Sequence, residues 1–196
     1  MSGIEETLAR LAEIPNVHVS AGERLAAHTR FGIGGPADAY AETPRVESFL
    51  EALRIARASG LDCAVMGSGT NLIVPDEGYP GVVLRFTGDR IEARGQRLIA
   101  EAGAELQGLV DVANQAGLAG LETLAGIPGS VGGAVYGNAG AYGRDISEVV
   151  SEVYFFDGAM VRALYNSECE FAYRESVFKR RKDWVILTLS LIHISE

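Results

Sequence analysis

Two cysteines and three histidines are all that this 196-residue chain offers a metal or a disulfide framework. Cys63 and Cys169 lie in unrelated surroundings and the histidines are scattered, so no metal-ligand spacing is present. Cys63, inside the apolar run CAVM, reads as a small core residue. Basic charge is the second scarcity: 17 Lys and Arg face 26 Asp and Glu, a net charge of −9. With no basic stripe, the chain lacks the electrostatic footprint of a nucleic-acid-binding protein. The cluster Lys179, Arg180, Arg181 and Lys182 reads either as a solvated turn or as a site for phosphate or an acidic partner. Long apolar runs are missing too. The longest uncharged stretch, Thr123 to Gly143, carries too many glycines and a proline to be a membrane helix. The start, MSGIEETLARLAE, has carboxylates where a secretory leader needs a basic start and an apolar core. A cytoplasmic protein with no membrane partner is therefore expected.

What is present is an ordinary globular composition, 47% hydrophobic and 22% charged, without repeats or low-complexity tracts. Residues 1–22 read as an amphipathic lead helix ending near Pro15, followed by a linker. HTRFGIGGPADAYAE suggests a strand, a glycine turn and a second strand. Thr43 and Pro44 suggest the cap and first position of a helix that buries Val46, Phe49, Leu50 and Leu53 and stops at Gly60. An apolar strand at 64–66, a loop and a second apolar run at 82–86 complete a βαβ-like unit. A second unit opens with the strand-like RLIAEAG. A helix follows with Leu106, Leu109, Val110 and Ala113 on one face, ending near Gly117. SEVYFFDGAMVRAL reads as a hairpin around an Asp-Gly turn, and DWVILTLSLIHIS as a final β-branched run. The order of elements argues for α+β with two subdomains rather than a doubly wound sheet.

Three stretches could carry chemistry. GSGTNL, at 67–72, follows a strand but lacks the third glycine and the helix of a dinucleotide fingerprint. Its small residues allow either a tight turn or a nest of backbone N–H groups around an anion, with Ser68, Thr70 and Asn71 adding short donors. GIPGSVGGAVYGNAGAYG, at 126–143, is too long and too rich in glycine for an idle loop, and its Ile, Val and Tyr residues are not those of a linker. There Gly129 to Gly133 could supply further backbone donors, and Asn138 a side-chain amide. In FAYRESVFKRR, at 171–181, Arg174 sits among aromatics. It is suited to stabilising an oxyanion or enolate, or else to a structural ion pair with Glu175 or Glu170.

In this order and spacing, HTRFGIGGPAD, GSGTNL, AGIPGSVGGAVYGNAGAYG and YRESVFK resemble the UDP-N-acetylenolpyruvoylglucosamine reductases, over roughly residues 23–190. The resemblance implies an α+β fold of the vanillyl-alcohol-oxidase (PCMH) type. FAD would lie between two subdomains, 23–88 and 89–190, after a lead segment 1–22 and before an atypical tail 191–196. It implies that Gly67, Ser68, Gly69, Thr70, Asn71 and Leu72 cradle FAD from one side. Gly126, Ile127, Pro128, Gly129, Ser130, Gly132, Gly133 and Ala134 would do so from the other, with Asn138, Gly140, Ala141 and Tyr142 along the cofactor. The implied activity is NADPH-dependent reduction of UDP-N-acetylglucosamine enolpyruvate to UDP-N-acetylmuramate for peptidoglycan. Arg174 would polarise the substrate carboxylate and stabilise the enol, and Tyr173 would position this UDP-sugar.

The family's pattern continues beyond this sequence, through a substrate domain with a proton-donating serine and a distal glutamate. Ser190 and Ser195 come too early for that serine, Glu196 is the terminus, and IHISE departs from the family's continuation. The expectation is a chain that lacks its third domain, binds FAD without completing the reduction, and exposes an apolar face. An FAD-dependent sugar or alcohol oxidase of the same fold is one alternative, although His28 and Cys63 show no flavin attachment motif. A non-catalytic flavin-binding module is the other.

Overall fold

A computed structural model describes residues 3–192, so Ser195, Glu196 and most of the expected tail lie outside the described residues. The chain divides into two compact units, Met1–Gly88 and Asp89–Glu196.

The first unit begins with helix α1 (Gly3–Ala12), whose Leu11 is fully buried. The expected linker is instead a strand from its third residue onward: β1 (His18–Arg24) pairs antiparallel with β2 (Pro36–Thr43). The strand expected at the start of HTRFGIGG is absent. A short 3-10 turn, Leu25–His28, leads into a loop there, because Gly32 and Gly34 take positive φ and Gly34 and Gly35 carbonyls accept from Ala26 and Leu25. Helix α2 (Val46–Ala58) then buries Phe49, Leu50, Ala52 and Leu53, the face set by their 3.6-residue spacing. It starts after Arg45, while the Thr43 hydroxyl accepts the Arg45 N–H one step earlier than a helix cap. Strand β3 (Asp62–Met66) and strand β4 (Tyr79–Phe86) complete a sheet of order β1-β2-β4-β3, in which β2 and β3 both run parallel to β4. Leu25, Tyr40, Met66, Val74 and Val83 pack together in its core. The GSGTNL loop emerges from the C-terminal end of β3.

The second unit opens with a hairpin that the sequence pattern did not reveal. β5 (Ile91–Arg94) pairs with β6 (Arg97–Glu101) around Gly95 at positive φ. Helix α3 (Leu106–Gln115) buries Leu106, Leu109, Val110 and Ala113 as its periodicity requires. The glycine-rich stretch contains a helix, α4 (Val131–Tyr136), where only loop was expected. Two glycines inside it cost about 1 kcal/mol each against alanine. Burial of Val131 and Val135, about 1.5–3 kcal/mol each, offsets that cost, and the Ser130 hydroxyl caps the helix by accepting the Gly133 N–H. A small ribbon follows, β7 (Gly140–Ala141) with β8 (Arg144–Asp145). β9 (Val150–Phe156) and β10 (Val161–Tyr165) form the expected hairpin, but its loop is the four residues 157–160. Asp157 accepts there from the Ala159 and Met160 N–H groups. After the short helix α5 (Val177–Arg180), strand β11 (Val185–Ile192) runs through the middle of an antiparallel sheet of order β10-β9-β11-β6-β5. Phe155, Phe178 and Trp184 cluster on one side of it, with ring centroids 4.4–6.2 Å apart. Ser190 lies within β11, buried, its carbonyl accepting the Ser151 hydroxyl. No helix of the described residues is long and apolar enough to cross a membrane.

Candidate functional site

The loop at 67–72 is held from behind by the residues that precede β2. Gly69 has φ +66°, and a Cβ there would stand 1.9 Å from the His28 carbonyl oxygen, so the position admits glycine alone. The Arg30 N–H donates to the Gly69 carbonyl at 3.1 Å. His28 is itself anchored: its ring stacks on Tyr40 with centroids 4.4 Å apart, and Nε2 lies 2.9 Å from a Glu23 oxygen. The Tyr40 hydroxyl donates to Glu42 at 2.5 Å, and burial first, then that carboxylate, pushes its phenol up.

Held in this way, the loop leaves its donors unused. Among the described residues, no protein acceptor meets the N–H groups of Ser68, Gly69, Thr70 or Asn71. The Ser68 hydroxyl is buried and has no hydrogen-bond partner among the described residues. An unpaired buried hydroxyl costs about 1–3 kcal/mol, so a loop serving only as a turn has no reason to keep it. A phosphate-bearing group fits this donor set, which is entirely N–H and O–H with no carboxylate in the loop. Leu72 and Ile73 follow as exposed apolar residues, Ile73 at 72% of its free surface.

The second glycine stretch behaves differently. The Gly126 N–H donates to the Gln107 side chain and Ile127 N–H to the Leu124 carbonyl, while Pro128 has no donor. Val131 and Gly132 donate to the Ala104 and Ala102 carbonyls, and Gly133 to the Ser130 hydroxyl. The amides expected to converge on an anion are therefore largely committed within the unit, leaving those of Gly129 and Ser130. What the glycines provide is closeness: a Cβ on Gly132 would stand 2.8 Å from that of Ala102, and one on Gly140 2.3 Å from the Arg144 carbonyl oxygen. Asn138 is buried, and both ends of its amide are bonded to backbone, to the Ala172 carbonyl at 3.0 Å and the Ser147 N–H at 3.3 Å. Ala141 and Tyr142 follow Gly140, with Tyr142 92% exposed at φ +55°.

Tyr173 and Arg174 form the tip of a tight turn closed by two bonds between Ala172 and Glu175, of 3.1 and 3.0 Å. Tyr173 is 87% exposed, with the Arg174 guanidinium 5.7 Å from its ring centroid. Neither expected ion pair of Arg174 forms. Glu175 pairs with Lys179 at 2.7 Å and Glu170 with Arg180, and Arg174 Nη2 donates instead to the Gly140 carbonyl at 3.1 Å. Arg174 makes no carboxylate contact among the described residues, so its charge is available. Three residues of the basic cluster, Lys179, Arg180 and Arg181, are engaged in local pairs, Arg181 also lying over the Trp184 ring at 4.6 Å. Lys179 is the residue that the sequence reading missed: its ammonium also holds the Arg174 carbonyl at 2.9 Å. A lysine in a basic run gives no hint of a backbone partner.

Comparison with known proteins gives this geometry its context. Residues 37–160 match the family model described as FAD binding domain. The chain is 58% identical over 183 residues to the UDP-N-acetylenolpyruvoylglucosamine reductase of Solibacter usitatus, covering 93% of this chain and 59% of that protein. Among solved structures, UDP-N-acetylenolpyruvylglucosamine reductase from Thermus caldophilus superposes with a TM-score of 0.75 at 32% identity, covering 92% of this chain and 63% of that one. A solvent-stable cholesterol oxidase superposes at 0.65 with 18% identity over 92% of this chain and 38% of its own, a likeness of fold alone. The chain thus spans about three-fifths of the length of the reductases it matches. The α+β architecture is that of the PCMH-type FAD-binding fold.

Proposed function

The chain belongs to the FAD binding domain family, and from that premise we propose that it is the FAD-holding part of a UDP-N-acetylenolpyruvoylglucosamine reductase. The observation that carries the reading is the GSGTNL loop, with four open amides and a buried, unpartnered Ser68 hydroxyl. When bound, FAD supplies the hydride chemistry, with NADPH as the hydride source. The amides of Ser68, Gly69, Thr70 and Asn71 and the Ser68 hydroxyl hold the pyrophosphate of the cofactor, and Leu72 borders it. Residues 126–130 and 132–134, and Gly140 to Tyr142, line the cofactor as well, with the amides of Gly129 and Ser130 left open for it.

Arg174 is the cation for the substrate. Its guanidinium is always charged, presents a planar fork of donors and has no carboxylate partner among the described residues, so it can bind the enolpyruvyl carboxylate and stabilise charge that develops there. Tyr173 positions the same group. The substrate is UDP-N-acetylglucosamine enolpyruvate, the process peptidoglycan synthesis, and the setting cytoplasmic. The test is to load the purified chain with FAD and add enolpyruvyl-UDP-N-acetylglucosamine. The reading expects a change in the visible flavin spectrum that Arg174→Ala abolishes, and flavin reduction by NADPH. A spectrum indifferent to the substrate in the wild-type chain would contradict it.

A further inference from the structure

Asn138 stands where loop and turn meet. It is 3% exposed and takes φ +41°, a left-handed conformation that asparagine tolerates. Its amide orientation is fixed by its surroundings, since Nδ2 faces the Ala172 carbonyl and Oδ1 faces the Ser147 N–H. Ala172 is the base of the turn that carries Tyr173 and Arg174. Two residues beyond Asn138, the Gly140 carbonyl accepts from the Arg174 guanidinium. Two rungs therefore tie residues 138–140 to residues 172–174, and Asn138 provides the one that does not involve Arg174.

We propose that Asn138 is a positioning residue for Arg174 and not a contact of the cofactor. This deepens the function proposed above and rests on its reading of Arg174. One Nδ2–H is committed to the Ala172 carbonyl and Oδ1 to the Ser147 N–H, and at 3% exposure the side chain presents almost no surface to a ligand. It holds the turn in place while the guanidinium stays able to turn toward an incoming carboxylate.

The test compares wild type, Asn138→Asp and Asn138→Gly as full chains. Aspartate keeps the acceptor for Ser147 but, ionised, offers no donor to Ala172. Glycine keeps the left-handed backbone and loses both bonds. Hydrogen exchange read by mass spectrometry over residues 172–175 is measured with FAD titration alongside. At neutral pH both variants should exchange there about tenfold faster than wild type, with α3 and β11 unchanged. As pH falls through the carboxyl range, near 3.9 in an unperturbed aspartate, the protonated side chain regains a donor. Asn138→Asp should then return to the wild-type rate, and Asn138→Gly should not. FAD affinity should stay within about threefold in both, because neither change touches the open amides at 68–71. Unchanged exchange at 172–175, or equal acceleration throughout the second unit, would overturn the proposal. So would a tenfold loss of FAD affinity with the turn undisturbed, which would make Asn138 a cofactor contact. Failure of the wild type to bind FAD would defeat the functional reading, while the exchange comparison would still decide the role of Asn138 in holding the turn.

Discussion

Replacing Gly69 by alanine tests whether the first glycine loop is built around its missing side chain. At φ +66° an alanine costs about 1–2 kcal/mol in backbone strain. Its Cβ would stand 1.9 Å from the His28 oxygen and 3.2 Å from the Thr29 Cα, so backbone must move. Overpacking of that kind costs about 1–3 kcal/mol more, for a total of about 2–5 kcal/mol. Gly60 supplies the control, with φ +75° and nothing within 4 Å of its Cβ position, so Gly60→Ala carries only the strain. The difference between the two variants, about 1–3 kcal/mol, belongs to the contact with His28. Urea unfolding followed by far-UV circular dichroism measures it, and quenching of flavin fluorescence measures binding. Gly69→Ala should also lose FAD affinity by at least about tenfold, since a shift of the loop misaligns several amides at once, whereas Gly60→Ala should keep it. Equal unfolding midpoints, or equal affinities, would refute this account of the loop.

Ser68→Ala should move stability and binding in opposite directions. Removing an unpaired buried hydroxyl leaves the free protein as stable or up to about 1 kcal/mol more so, while FAD affinity falls by about tenfold. Denaturation and titration on one preparation give both signs. Cys169, whose thiol burial pushes up to about 12, should resist alkylation at pH 8 in the native protein. Its folded pKa lies above the unfolded value, so the neutral thiol's contribution holds below about 9 and is lost as pH rises toward 12, measurable as falling stability in alkali. Asp157 is held down to about 2, first by the Met160 and Ala159 N–H groups and then by Arg162. The ionised form supports the turn above the ordinary carboxyl range, and that support disappears as pH falls toward 2. Carboxyl titration by NMR should find the low midpoint, and Asp157→Asn should remove the acid sensitivity of residues 157–160.

Regular periodicity made much of the fold legible. Leu106, Leu109, Val110 and Ala113 marked α3, and Phe49, Leu50 and Leu53 marked α2, because one buried helical face repeats every 3.6 residues. β1 escaped because HVSAGER is mostly polar and has no fully buried residue to set an alternation. α4 escaped because VGGAVY has poor helix propensity, and its stability comes from burial and from the Ser130 cap. At the site, the small residues of GSGTNL allowed either a tight turn or an anion nest, but nothing in them revealed that His28 closes on Gly69. The second glycine stretch suggested open amides, yet the Ala102 and Ala104 carbonyls that occupy them are distant in sequence and carry no side-chain signature. Asn138 was named as a candidate, but its bonds to the backbone of Ala172 and Ser147 were hidden for the same reason.

The central claim is that Ser68 to Asn71 hold a pyrophosphate. Parallel titration of the purified chain with FAD and with FMN, which lacks that group, tests it most directly. The account predicts one FAD per chain and FMN bound about a hundredfold more weakly, the worth of one or two charge-assisted hydrogen bonds. Equal affinity for the two flavins, or no binding of either, would contradict it.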